Sequence, residues 1–282
     1  EAKDMMKASF ELSEKIELPV ILRTVTRLSH VRGNVVLGGI SKPSREAKFG
    51  RDVDRFWISG HRGLRRHIWR HEHWTEVEKA VENFPFNRLE MNGNERICVI
   101  TSGVAYNYVK EALKILNAEG EVAVLKIGSV YPLPKSLVKS VVSQVEEVLV
   151  VEEGEPFLEL QVKALTSELE RHARISGKAS GLILIGGELT VEATLEALSK
   201  IIGQKFDVKP FKSNQNRLEH ARNIPSRPPV LCPGCPHSAT FYALKRALRS
   251  AKEKTVVAGD IGCYALSIMP PYELGDVKYS MG

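Results

Sequence analysis

The chain has 282 residues, of which 43% are hydrophobic and 26% charged; that is enough apolar material for more than one core and excludes a disordered chain. Lys and Arg number 40 against 34 Asp and Glu, and the resulting +6 is too modest to demand a nucleic-acid partner by itself. Four cysteines, three of them clustered in turns, argue for reduced thiols in the cytoplasm rather than a disulfide scaffold, and no apolar run has the length of a membrane span.

In residues 1–43, Ala2, Met5, Met6, Phe10, Leu12 and Ile16 recur near helical spacing and predict an amphipathic helix over Glu1 to Lys15. After Pro19 the β-branched run Val20 to Thr26 predicts a buried strand. Its end, Thr26-Arg27-Leu28-Ser29-His30, collects polar groups, and an arginine there can grip a carboxylate with its two-pronged fork. An ordinary polar surface turn fits the same residues.

Residues 44–94 read as a connector. Arg51, Arg55, Arg62, Arg65, Arg66 and Arg70 alternate with Trp57, Trp69, Trp74 and the histidines 61, 67, 71 and 73. Basic and aromatic residues together suit nucleic acid. His67 and His71 share a helix face and so suit a metal. A solvated helix between domains accounts for the same composition without either ligand, and no nucleic acid is expected. Asn92-Gly93-Asn94 predicts a turn and a boundary.

Residues 95–205 alternate strand and helix. Strands are predicted at Arg96–Thr101, Val122–Ile127, Val148–Val151 and Leu182–Ile185. Helices are predicted over Val104–Leu116, from Pro134 through Val145, from Pro156 through Glu170, and from Thr190 through Ile201. That order predicts an α/β domain with a mostly parallel sheet. It holds no dinucleotide fingerprint, P-loop or nucleophile elbow. Glu152, Glu153 and Glu188 lie beyond strand ends, where acid–base work and helix capping are both open to them; no residue here is assigned a catalytic role. Residues 206–227 are polar, basic and Pro-containing, and read as a linker.

Residues 228–282 carry the densest chemistry. Cys232-Pro-Gly-Cys-Pro-His237 ends where a helical run begins, and a turn at a helix start presents free N–H groups suited to an anion. Thr255 to Ala258 predicts a buried strand, followed by the turn Gly259-Asp260-Ile261-Gly262-Cys263. Ligands in open α/β sheets collect beyond such strand ends. Cys232, Cys235, His237 and Cys263 have the ligand types of a tetrahedral zinc site in a zinc-stabilised interaction module. They also fit a redox dithiol at a helix start. A c-type haem motif fails, because Pro236 separates Cys235 from His237. The third reading is a cofactor pocket.

The pair CPGCPH and GDIGCY, followed by Pro270-Pro271, resembles the large (alpha) subunits of indolepyruvate:ferredoxin oxidoreductases, members of the 2-oxoacid:ferredoxin oxidoreductase family. LPVILRTVTRLSH, ITSGVAYNYVKEAL, KIGSVYPLP, VVEEGEPFLE and GGELT follow the family in the same order, so the resemblance runs through the whole chain. It implies the thiamine-diphosphate superfamily fold. Residues 1–43 would be the tail of a pyrimidine-binding domain, 95–205 a transketolase carboxyl-terminal type domain, and 228–282 the start of a diphosphate-binding domain. It implies oxidative decarboxylation of an aryl 2-oxo acid to an acyl-CoA with ferredoxin as electron acceptor, or of pyruvate or a branched-chain acid in a related enzyme.

Thiamine diphosphate, Mg2+ and [4Fe-4S] clusters are the implied cofactors, with the cluster ligands and the magnesium motif outside this chain. A small (beta) subunit, ferredoxin and coenzyme A are the implied partners. Arg27 would meet the substrate carboxylate. Cys232, Gly234, Cys235, His237, Asp260, Ile261, Gly262 and Cys263 would face the cofactor, and no residue is expected to hold a metal. Glu1 in place of Met, and Tyr279-Ser280-Met281-Gly282 in mid-pattern, lead us to expect an internal piece that is inactive alone.

Overall fold

The computed structural model describes residues 1–39, 50–57, 59–170, 173–206, 225, 228–251 and 254–278. They fall into two compact units, Glu1–Ser213 and Asn214–Gly282. The linker expected over 206–227 lies outside the described residues except for Phe206 and Pro225.

The first unit is built on a five-stranded sheet. Its strands are β1 (Arg88–Glu90), β2 (Ile97–Ser102), β3 (Val122–Ile127), β4 (Glu147–Val151) and β5 (Arg174–Ser176), in the order β1-β3-β2-β4-β5. β3, β2, β4 and β5 run parallel; β1 adds an antiparallel edge, Leu89 opposite Leu125. Strands buried on both faces need continuous apolar runs, and Val148 to Val151 supply one. Cys98, Ile100, Leu125 and Val150 pack on one face against α7 (Lys135–Val142) and α8 (Phe157–Thr166). Val99, Val124, Leu149 and Val151 pack on the other against α6 (Ala105–Ile115) and α9 (Val191–Ile202). The result is the three-layer α/β architecture expected for this stretch.

Ahead of the sheet lie α1 (Ala2–Ile16), the one-turn α2 (Thr26–His30) and α3 (Val53–Phe56), then α4 (Gly60–Glu72) and α5 (Trp74–Glu82). α1 forms as its periodicity predicts. The second unit has α10 (Pro236–Ser250), a 3-10 turn at Cys263–Ile268, and a two-stranded parallel ladder of β6 (Ala258–Gly259) with β7 (Val277–Lys278).

Three predicted strands do not form as expected. Val20 to Val25 is coil with no buried residue, Ile21 being 88% exposed, and Thr26 opens a helix instead. A β-branched run becomes a strand only where a neighbour completes its ladder, and among the described residues this run has none. Leu182 to Ile185 is a turn. The backbone N–H groups of Leu182 and Ile183 donate to the Gly177 carbonyl, and the edge of β4 is already taken by Arg174–Ser176. In the second unit Thr255 to Val257 is coil rather than buried strand; only Ala258–Gly259 pair, and the Asp276 side chain accepts from the Val257 N–H at 2.8 Å.

Candidate functional site

In the first unit the chain runs from β2 through α6 to β3 on one side, then through α7 to β4 on the other. The strand order therefore reverses between β2 and β4, and the crevice beyond their carboxyl ends is where such sheets bind ligands. Ser102 and Gly103 leave β2 there, and Gly103 adopts φ 57°, a turn open to glycine without strain. Glu152, Glu153 and Gly154 leave β4. The Arg23 guanidinium lies 3.2 Å from where a Cβ on Gly154 would stand.

Arg27 reaches the same region. Its Nη1 donates to the Tyr108 hydroxyl at 2.9 Å and its Nη2 to the Glu188 carboxylate at 2.8 Å. The guanidinium also sits 5.8 Å from the Tyr108 ring centroid. The hydrogen bond to Glu188, then that to Tyr108, raises the Arg27 pKa above its ordinary value. The Tyr108 contact left no signal in the sequence, because nothing there sets residue 27 beside residue 108.

The other two carboxylates beyond β4 have structural work. Glu152 is 4% exposed and accepts from the N–H groups of Leu158 at 2.7 Å and Glu159 at 2.9 Å, capping the start of α8. Burial pushes its pKa up against the pull of those two bonds. Glu153 accepts from the Leu189 N–H at 3.2 Å and so fixes the residue after Glu188. Glu159 is fully buried, bonded to the Ala179 N–H at 2.7 Å and to Lys163 at 2.7 Å. The buried Lys178 ammonium donates to the Gly154 carbonyl at 2.7 Å. The Thr101 hydroxyl is buried without a hydrogen-bond partner among the described residues. Cys98, buried in β2, has its thiol pKa pushed up to about 12 by desolvation, so it is inert.

In the second unit the first turn closes through the Cys235 N–H to the Cys232 carbonyl at 3.0 Å. Gly234 lies at φ 72° with open space where a Cβ would stand. Cys235 is the N-cap residue of α10 and Pro236 its first residue, where a missing N–H costs nothing. The Cys235 Sγ sits 3.2 Å from His237 Nδ1. The His237 ring lies 5.6 Å from that of Tyr264 and 6.0 Å from that of Phe241.

Gly262, at φ 123°, opens the 3-10 turn, and a Cβ there would lie 3.4 Å from the Tyr264 ring. Tyr264 thus touches both turns. The Asp260 carboxylate accepts from the Ile261 N–H at 2.6 Å. Cys232 and Cys263 are exposed and Cys235 half-buried. Among the described residues no group of three or more His, Cys, Asp or Glu is arranged to hold a metal ion. On α4, His67 and His71 do share a face, their Nε2 atoms 3.3 Å apart.

Residues 87–223 match the family described as "Indolepyruvate oxidoreductase domain". Over its whole length the chain is similar to proteins named indolepyruvate oxidoreductase subunit IorA. It is 37% identical to that of Pyrococcus abyssi, covering 43% of it, and 38% identical to that of Archaeoglobus fulgidus, covering 44%. It is 36% identical to that of Methanothermobacter thermautotrophicus, covering 45%. A solved 2-oxoglutarate:ferredoxin oxidoreductase from Magnetococcus marinus shares 17% identity over 49% of this chain and 23% of its own, with a TM-score of 0.38, too partial a likeness to carry an argument. Aligned from end to end with several such relatives, the chain is similar throughout to indolepyruvate oxidoreductase subunit IorA proteins, and it spans less than half the length of the relatives it matches.

Proposed function

We propose that this chain is the central part of a thiamine-diphosphate-dependent subunit. The whole protein oxidatively decarboxylates aryl 2-oxo acids such as indolepyruvate to an acyl-CoA. Carbon dioxide would be released, and iron–sulfur clusters, with ligands outside this chain, would supply the one-electron transfer to ferredoxin. It works in the cytoplasm with a small subunit. Residues 1–43 close a pyrimidine-binding domain, 44–94 connect, 95–205 form the transketolase carboxyl-terminal type domain, and 228–282 begin the diphosphate-binding domain. The observation that carries the reading is the likeness to IorA proteins along the entire chain.

The residues of the second unit fit the diphosphate. An anion at the start of the 15-residue α10 meets the positive end of the helix dipole. The open backbone at Gly234 permits close approach. Cys232, Gly234, Cys235 and His237 would line one side of the bound group, and Asp260, Ile261, Gly262 and Cys263 the other. When bound, thiamine diphosphate supplies the carbanion chemistry for decarboxylation. The protein's share is to orient and to exclude water. Asp260 is the acidic side chain within these turns, and the described residues bring no further set of metal ligands beside it. Arg27 binds the carboxylate of the 2-oxo acid.

The test is the full-length subunit assembled with its partner, assayed for coenzyme A-dependent ferredoxin reduction. Indolepyruvate should give a higher kcat/KM than pyruvate or a branched-chain 2-oxo acid. Preference for either of those moves the enzyme to a sister activity, and no reduction with any 2-oxo acid overturns the proposal.

A further inference from the structure

Arg27 does not project freely. Its two partners come from elements locked together in one core. Tyr108 is on α6, and Glu188 stands two residues before Thr190, the N-cap of α9. α6 and α9 pack through Val109, Leu113, Leu195 and Leu198, all buried. The Glu188 segment is pinned at both ends of a short span. The Leu189 N–H donates to Glu153 at 3.2 Å, and the Thr190 hydroxyl accepts from the Ala193 N–H at 3.2 Å. α2, which carries Arg27, has five residues and no buried side chain to hold it. The guanidinium is therefore positioned from the far side, by a frame that α2 does not itself provide.

The two bonds use two of the five N–H groups of the guanidinium, since Nη1 and Nη2 each donate once. A guanidinium carries five N–H groups in a rigid plane and can serve two partners from two edges. Nε and the second hydrogen of each Nη group make no hydrogen bond among the described residues. Arg27 is 45% exposed and Glu188 59%, so their ion pair adds little to stability, whereas fixing the plane of the fork is what two-pronged carboxylate recognition requires.

We infer that Glu188 and Tyr108 are positioning residues: they hold two N–H groups of Arg27 so that the remaining ones are aimed, flat and ready, at a carboxylate ligand. The inference rests on the reading of Arg27 as the residue that meets the carboxylate of the 2-oxo acid. It adds that substrate affinity depends on two residues more than 80 positions away that never touch the substrate.

The experiment uses the full-length subunit with its partner and measures KM and kcat for the 2-oxo acid in Arg27→Ala, Glu188→Gln, Tyr108→Phe and the doubles that combine each with Arg27→Ala. Glu168→Gln, which breaks the comparable exposed ion pair to Lys139, is the control and should change nothing. Glu188→Gln and Tyr108→Phe should each raise KM by up to about tenfold with kcat unchanged, because an uncoupled fork loses affinity rather than chemistry. In the Arg27→Ala background neither should add a further effect. If Arg27→Ala raises KM but the partner variants do not, or if their effects multiply with it, the positioning role is wrong while the carboxylate role stands. A lower KM in Glu188→Gln would make Glu188 a competitor of the substrate and also overturn it. An unchanged KM in Arg27→Ala removes the carboxylate role itself.

Discussion

Single carboxylates in this protein do opposite things with similar burial. Glu95 is 6% exposed, and its carboxylate gathers the N–H groups of Asn92 at 2.6 Å, Gly93 at 2.8 Å and Asn94 at 3.0 Å. Desolvation pushes its pKa up, but those backbone donors prevail and hold it below the ordinary value. Glu152 has two such donors instead of three, and desolvation prevails. For Glu95 the folded pKa is the lower one, so its contribution is full above the unfolded value of about 4.3 and fades as pH falls through the folded value. Glu95→Gln should cost about 1–3 kcal/mol at neutral pH. It should also remove part of the loss of stability below pH 4. Urea denaturation at a series of pH values checks both, and parallel curves for the two proteins would mean that Glu95 is not the acid-sensitive cap.

At the scale of elements, the edge of the sheet is set by contacts too close to tolerate a methyl group. The Gly128 N–H donates to the Asn87 side chain at 2.9 Å, just after β3. A Cβ on Gly128 would lie 2.7 Å from the Phe86 carbonyl carbon and 2.7 Å from its Cβ. Backbone cannot swing aside as a side-chain end can, so Gly128→Ala should destabilise the first unit by about 1–3 kcal/mol. A fall in the denaturation midpoint without a change in slope is the expected reading. An unaltered midpoint would show that the Phe86 turn moves freely. Gly93→Ala, with nothing within 4 Å of its Cβ but φ 100°, separates backbone strain from crowding.

For the whole molecule, the two units differ in how they are built. Both large apolar clusters lie in the first. In the second, Phe241 and Leu274 are the buried apolar side chains among the described residues. A small core holds its turns weakly, and a diphosphate needs magnesium to balance its charge. On the proposed cofactor role, residues 1–282 should therefore bind thiamine diphosphate with magnesium far more weakly than the full-length subunit. Calorimetry of both is the measurement. Tight, magnesium-dependent binding by residues 1–282 would place the metal ligands within them.

The sequence by itself determined whatever depends on near neighbours. Apolar runs marked β2, β3 and β4, and the turn ending at His237 marked the start of α10 to within two residues. The motif pairs, in order, pointed to the family that the comparisons then gave. Tertiary structure decided what depends on a partner distant in the chain. Val20 to Val25 has strand composition but no ladder to join. The three-residue Arg174–Ser176, with no apolar run to announce it, took the edge of β4 that Leu182 to Ile185 would have needed. Glu188, one of three similar glutamates beyond strand ends, was set apart only when folding put Arg27, itself bonded to Tyr108, against it. Local pattern fixes what a segment can become, but a hydrogen-bond donor or a strand edge has one occupant, and only the folded chain shows which segment reached it first.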